Sequence, residues 1–247
     1  MALLVAALLF PLTGLLAHVG PWQFDGETPG STLAAVRISL GLTGLALAIV
    51  VVIGTPAAWY LARLAGSGRT LWEAALLVSV LLPPLALGIL LALAFGPGAP
   101  VGAWLLRLGV PTSNSAIAFV TAQVYVAMGY YVLAARGAFE SVPRELERTA
   151  GLLGATPWRV FWRITLPLSR LGLAVALSLA WVRALGEFGA VMVTSYFPAG
   201  MPVQLWINLQ DSGLPAVMPL LLVFLLSALP LPLLAHLLAR HRERSGA

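Results

Sequence analysis

Two absences and one shortage frame this chain of 247 residues. It contains no cysteine, and all 14 of its basic residues are arginine, so lysine is missing too. Without lysine there is no phosphate-loop lysine, no Schiff-base lysine and no kinase-type lysine, and the chain does not hydrolyse ATP by itself. Without cysteine, and with histidine confined to His18, His236 and His241, no ligand set for zinc, haem or an iron–sulfur cluster is expected. The shortage is of charge: 9% of residues are charged and 60% hydrophobic, where a soluble domain carries about a quarter charged residues. With a mean hydropathy of +0.95, this is not a water-soluble globule. The isoelectric point near 10.4 would ordinarily raise nucleic-acid binding. Arginines beside apolar runs are explained more economically as topology determinants and lipid-headgroup contacts, so no nucleic-acid partner is expected.

What is there is a series of apolar runs. Residues 1–24, 38–62, 74–106, 108–135 and 212–239 carry no Asp, Glu, Lys or Arg, and each is long enough to cross a bilayer. The cluster Gly96-Pro97-Gly98-Ala99-Pro100 ends one of them near Phe95 and leaves a short interfacial helix over Val101 to Leu108. A further run, about 168–192, contains Arg183 and Glu187. The pattern predicts an all-α polytopic membrane protein, a single transmembrane domain over 1–247 with six spans at 2–19, 33–62, 71–95, 114–136, 168–192 and 214–238. With the N-terminus inside, the cytoplasmic loops and tail hold Arg63, Arg69, Arg136, Arg144, Arg148, Arg159, Arg163, Arg170, Arg240, Arg242 and Arg244, and the outer loops hold only Arg107. Positive charge on one side places both termini in the cytoplasm. The first segment lacks a basic n-region and a clear cleavage site, and a retained helix is expected there. Pro83-Pro84 removes two amide donors within the third span, as either a packing kink or a pore-lining break; Pro230 and Pro232 in the last span read as packing features.

The longest polar stretch, 137–167, predicts a folded loop. Pro143 suits the start of a helix through Glu145, Leu146, Arg148 and Leu152, and Gly154 supplies a left-handed stop. Thr156 caps a second helix that begins at Pro157, with Trp158, Phe161 and Trp162 on one face and Arg159 and Arg163 on another. Such a loop is either an interfacial anchor for the next span or a docking surface that passes motion to the spans.

Residues Glu147 to Pro167 resemble the EAA loop of permease subunits in bacterial and archaeal ABC importers. The match lies at Ala150, Gly154, Ala155, Ile164, Leu166 and Pro167, while Arg148 and Thr149 stand where that motif usually has Glu and Ala, with Glu147 one position earlier. The resemblance implies docking onto a separate ATP-hydrolysing subunit, with ATP and magnesium bound there and no cofactor bound by this chain.

Within the fifth span, Arg183 and Glu187 are four apart and share a face, so they can partly neutralise one another. Gly172, Ala176, Ala180 and Ala184 form a small-residue ridge that admits a neighbouring helix, placing this span centrally. The pair is either a structural bond inside the bundle or part of an anion path in which Arg183 lowers the barrier and Glu187 prevents tight trapping. Arg37, near the outer end of the second span, is another candidate for that path, though snorkelling to headgroups explains it more simply.

The segment Arg183-Ala-Leu-Gly-Glu-Phe-Gly189-Ala190 also resembles permeases for molybdate, tungstate and sulfate, as do Leu82-Pro83-Pro84 with Gly88, Phe95 to Leu105, and Tyr196-Phe197-Pro198. The short tail and the Ser-Tyr-Phe-Pro segment look closer to the molybdate/tungstate branch. The resemblance implies a homodimeric permease in the cytoplasmic membrane, two ABC ATPase subunits, and an extracytoplasmic binding protein that delivers the oxyanion. A sulfate/thiosulfate permease is the alternative within the family. An ion-coupled secondary transporter would need no ATPase, and an intramembrane enzyme would need a catalytic constellation; no HExxH or GxSxG segment occurs.

Overall fold

Proline and glycine decide where this chain's helices begin and end. A computed structural model describes residues 2–17 and 29–245. Among these the regular elements are α1 (Ala2–Ala17), α2 (Pro29–Arg63), α3 (Ser67–Leu81), α4 (Pro84–Phe95), α5 (Pro100–Arg107), α6 (Ala116–Glu140), α7 (Arg144–Leu152) and α8 (Pro157–Val160). A π-helical turn (Phe161–Thr165) leads into α9 (Leu166–Leu185), followed by α10 (Gly189–Thr194), α11 (Met201–Ser212), α12 (Leu214–Ala228) and α13 (Pro230–Ser245). The expected interfacial helix is α5, opened by Pro100 at its first position.

Four stretches are long and apolar enough to cross a membrane: Ser31–Arg63, Ala116–Glu140, Pro157–Leu185 and Leu214–Leu237. The bent pair α3 and α4 gives a fifth. Of the expected first span the described part is α1, 16 residues. Among the described residues the crossings therefore number four or five by this measure, against the six expected. His18 and Val19, the end of the expected first span, lie outside the described residues, as do the side chains of Arg240, Arg242 and Arg244.

Two expected spans change shape. The third is not one helix with a kink: α3 and α4 meet at 109°. Leu82 (ψ 129°) and Pro83 (ψ 135°) are both extended, because each precedes a proline whose ring disfavours helical geometry in the residue before it. The fifth is longer at one end and shorter at the other. The second loop helix does not stop before the span but runs into it continuously from Pro157 to Leu185. Pro167 has no amide to donate and would press on the preceding turn, and the wide π turn just before it, with the Leu166 amide reaching Phe161 O, lets the helix continue. The C-terminal end stops at Leu185, seven residues early, with Gly186 as its cap and the separate α10 beyond.

Helix α6 is the hub, packed against α2 on one side and α9 on the other. The small-residue ridge makes this possible: Ala176, Ala180 and Ala184 are fully buried, and a Cβ on Gly172 would collide with Ala138 of α6. In lipid this close approach is stabilised by van der Waals packing rather than by escape from water. Gly129 plays the same part on the other face of α6, where a Cβ would lie 2.5 Å from Ser79 Oγ of α3. A second apolar cluster, including Leu87, Leu91, Phe119, Ala190 and Val203, ties α4, α6, α10 and α11 together.

Candidate functional site

Two places carry the chemistry: the folded loop between α6 and α9, and the junction where α9 gives way to α10.

In the loop, α7 ends as the sequence predicts. Gly154 has φ +85°, the amide of Ala155 donates to Ala150 O at 3.0 Å, and that of Gly154 donates to Gly151 O at 3.0 Å. This double closure is the Schellman arrangement, which a glycine at that position allows without strain. Thr156 then caps the next turn by accepting the Arg159 amide at 3.4 Å, with Pro157 following in the first turn.

The inner face of α7 is clamped to the rest of the protein. Arg63, the last residue of α2, donates from Nε to Glu147 Oε2 at 3.0 Å and from Nη2 to Oε1. Thr165, buried in the π turn, donates to Glu147 Oε1 at 2.6 Å, and Arg144 donates to Ala62 O at 2.9 Å. Glu147 therefore points inward, as a strut between α2, α7 and the π turn. Arg148, Thr149, Leu152 and Leu153 face outward, with the last two 89% and 84% exposed. Ile164 lies within the π turn, and Leu166 and Pro167 open α9. The expected aromatic face forms, with Trp158, Phe161 and Trp162 in mutual ring contact; Phe161 also packs inward against Trp59 and Phe139, while Trp158 and Trp162 stay exposed.

At the second place, Arg183 and Glu187 do pair, Nη1 to Oε2 at 2.6 Å. They do not lie on one continuous helix, because Glu187 falls after the end of α9. Its other oxygen, Oε1, accepts the amide of Ala190 at 2.6 Å, so the carboxylate bridges the two helices. The pair is asymmetric, with Glu187 sealed at 0% side-chain exposure and Arg183 open at 24%. The guanidinium also lies 5.7 Å from the centre of the Tyr130 ring on α6. Gly189 and Ala190 cross α4 closely, for a Cβ on Gly189 would sit 2.9 Å from Leu85 N, and one on Gly88 2.8 Å from Ala190 Cα. The two motifs singled out in the sequence, Leu82-Pro83-Pro84 with Gly88 and Arg183 to Ala190, thus meet in space.

Some participants carried no strong sequence signal. Gln123, buried in α6, donates to Thr43 Oγ1 of α2 at 2.9 Å and to Ala184 O at 2.8 Å, which fixes the end of α9. Arg69, Glu73, Arg136 and Glu140 form a cluster joining α3 to α6, with Arg69 to Glu140 at 2.8 Å. The spacings Arg69/Glu73 and Arg136/Glu140, each four apart, were the available signal; the arginines alone read only as topology markers. Arg37 is exposed. Among the described residues no three of His, Cys, Asp and Glu come together as metal ligands would.

A hub helix between two apolar spans, a broken span and a clamped loop with an exposed outer face describe a polytopic helical membrane protein. The chain belongs to the family of binding-protein-dependent transport system inner membrane components, whose sequence profile matches residues 51–245. It is 34% identical over 232 residues to a probable molybdenum ABC transporter permease protein of Haloferax volcanii, covering 93% of this chain and 84% of that one. To the sulfate transport system permease protein CysW of Synechocystis it is 31% identical over 162 residues, 66% of this chain and 59% of the relative. In fold it matches a bacterial alginate ABC transporter solved with its pentasaccharide-bound periplasmic protein, with TM-score 0.75 and 17% identity over 97% of this chain and 93% of that one.

Proposed function

We propose that this chain forms the translocation path of an ATP-driven importer for a tetrahedral oxyanion, molybdate or tungstate. The observation that carries the substrate reading is the 34% identity over 93% of the chain to a molybdenum permease. The likeness to the sulfate permease extends over a smaller share, 66%, and supports the second reading, sulfate or thiosulfate. The path forms between two copies of the chain, each docking one ATPase subunit that holds ATP and magnesium, while this chain binds no cofactor. The anion arrives on an extracytoplasmic binding protein, and both termini lie in the cytoplasm.

The docking reading rests on the division of α7 into a clamped inner face and an exposed outer one. Leu152 and Leu153 are exposed apolar residues beside Arg148, a surface suited to a groove on a partner. Glu147, tied to Arg63 and Thr165, transmits a push on that surface to α2 and α9, rather than contacting the ATPase itself. Alternating access then follows from rigid motion of the loop helices.

Reconstitution of the permease with its ATPase and binding protein in liposomes tests this. ATP-dependent uptake of labelled molybdate and tungstate is expected to exceed that of sulfate. The reverse order selects the second reading, and uptake without an ATPase indicates a secondary transporter.

A further inference from the structure

Arg183 stands apart from the other charges of the bundle. It approaches Tyr130, which lies about 14 residues into α6, ~21 Å along that helix at 1.5 Å per residue. That depth is within the apolar part of a crossing, where an arginine is retained only if it faces other protein groups or water. Its only paired nitrogen among the described residues is Nη1, bonded to Glu187. A guanidinium has five N–H donors in a rigid plane, so the edge formed by Nε and Nη2 has donors to spare. The exposure is on the arginine: 24% of its side chain is open, against none of the carboxylate.

The carboxylate is held independently of the arginine. Glu187 Oε1 takes the Ala190 amide at 2.6 Å, and Gln123 fixes the carbonyl of Ala184 at 2.8 Å, immediately after Arg183 in the chain. An incoming anion would therefore find the counter-charge fixed and sealed, and a partly open guanidinium whose Nε and Nη2 donors are not taken by the carboxylate. Two adjacent N–H groups match two oxygens of a tetrahedral dianion in a way that an ammonium cannot.

We infer that Arg183 contacts the transported oxyanion through its Nε and Nη2 edge, while Glu187 is a positioning residue that holds the guanidinium and never touches the anion. This rests on the proposed oxyanion import, and it assigns the two members of the pair different roles.

The test is uptake of labelled molybdate per ATP hydrolysed by the complete reconstituted transporter. Arg183→Gln is expected to lower that ratio about tenfold or more, and Arg183→Lys nearly as much, because the fork is lost in both. Glu187→Gln keeps an oxygen for the Ala190 amide and is expected to stay within about threefold of the wild type. The double variant Arg183→Gln with Glu187→Gln should remain as poor as Arg183→Gln alone. A purely structural ion pair predicts otherwise, since removing both charges together relieves the defect of removing one. Recovery of uptake in the double variant, or wild-type coupling in Arg183→Lys, overturns the inference while leaving the import reading intact. If Arg183→Gln does not assemble, Arg183→Lys decides the matter. A wild-type complex that moves none of molybdate, tungstate and sulfate overturns the import reading, and this inference with it.

Discussion

Glu147 and Glu187 are built alike and situated differently. Each accepts one guanidinium and one neutral donor: Arg63 and the Thr165 hydroxyl in one case, Arg183 and the Ala190 amide in the other. Glu147 keeps 16% side-chain exposure and its partner comes from 84 positions away, whereas Glu187 keeps 0% and its partner is four positions away. The first bond joins elements that the chain itself does not hold together, in a place where water and salt weaken it. The second is local, with its carboxylate sealed, and it determines where α9 stops and how α10 leaves it. One is a strut for transmitting force; the other is a fixed joint.

The largest effect is expected at the fixed joint. Glu187→Ala leaves the Ala190 amide without its acceptor and Arg183 without its counter-charge, which for a buried pair costs about 3–5 kcal/mol. Thermal unfolding of the purified complex should show this as a fall in Tm much larger than that of Glu147→Ala. Equal falls would mean that burial does not separate the two sites. Next in size is Gly189→Val, which drives a side chain against Leu85 N and Pro84, each 2.9 Å from the added Cβ. Overpacking of this kind costs about 1–3 kcal/mol. The α4 to α10 crossing should loosen, with uptake falling alongside Tm. A variant with unchanged Tm would show that the two helices can part freely.

Gly154 lies in the other region and should behave differently. Space around it is open, so Gly154→Val meets no clash. The strain comes from φ +85° and amounts to about 1–2 kcal/mol. Assembly is expected to survive while the anion moved per ATP falls, because the turn between α7 and α8 is reshaped where the partner presses. An unaltered transport rate would remove the turn from the coupling path.

The same contrast explains what was legible in the sequence. Local chemistry was readable: Gly154 as a left-handed stop, Thr156 and Pro157 as a helix start, the Gly172 to Ala184 ridge, and the Arg183/Glu187 pairing at helical spacing. Long-range partners were not. Nothing near Glu147 in the chain points to Arg63, so its inward orientation required the fold. Boundaries failed where two local rules competed. Pro83-Pro84 stood as either kink or break, and the extended conformations of Leu82 and Pro83 decided for a break. Pro167 looked like a boundary between loop and span, yet a π turn carried the helix past it. Glu187 fitted a helical spacing but lies beyond the helix, because its side chain satisfies an amide of the next one.

The smallest effect, and the one that tests the strut most directly, belongs to Glu147→Gln. The amide keeps an oxygen for the Thr165 hydroxyl, and what is lost is the charge facing Arg63. A partly exposed pair of this kind contributes about 0.2–1 kcal/mol, so Tm should move little. The expected change is local. Hydrogen exchange over 144–152 should speed up, because α7 is held to α2 by few other bonds, Arg144 to Ala62 O among them. A double-mutant cycle with Arg63→Gln isolates the pair. Coupling below about 1 kcal/mol that shrinks as salt is raised fits a solvent-screened strut. A coupling of several kcal/mol, insensitive to salt, would place Glu147 in the same class as Glu187 and dissolve the distinction between them.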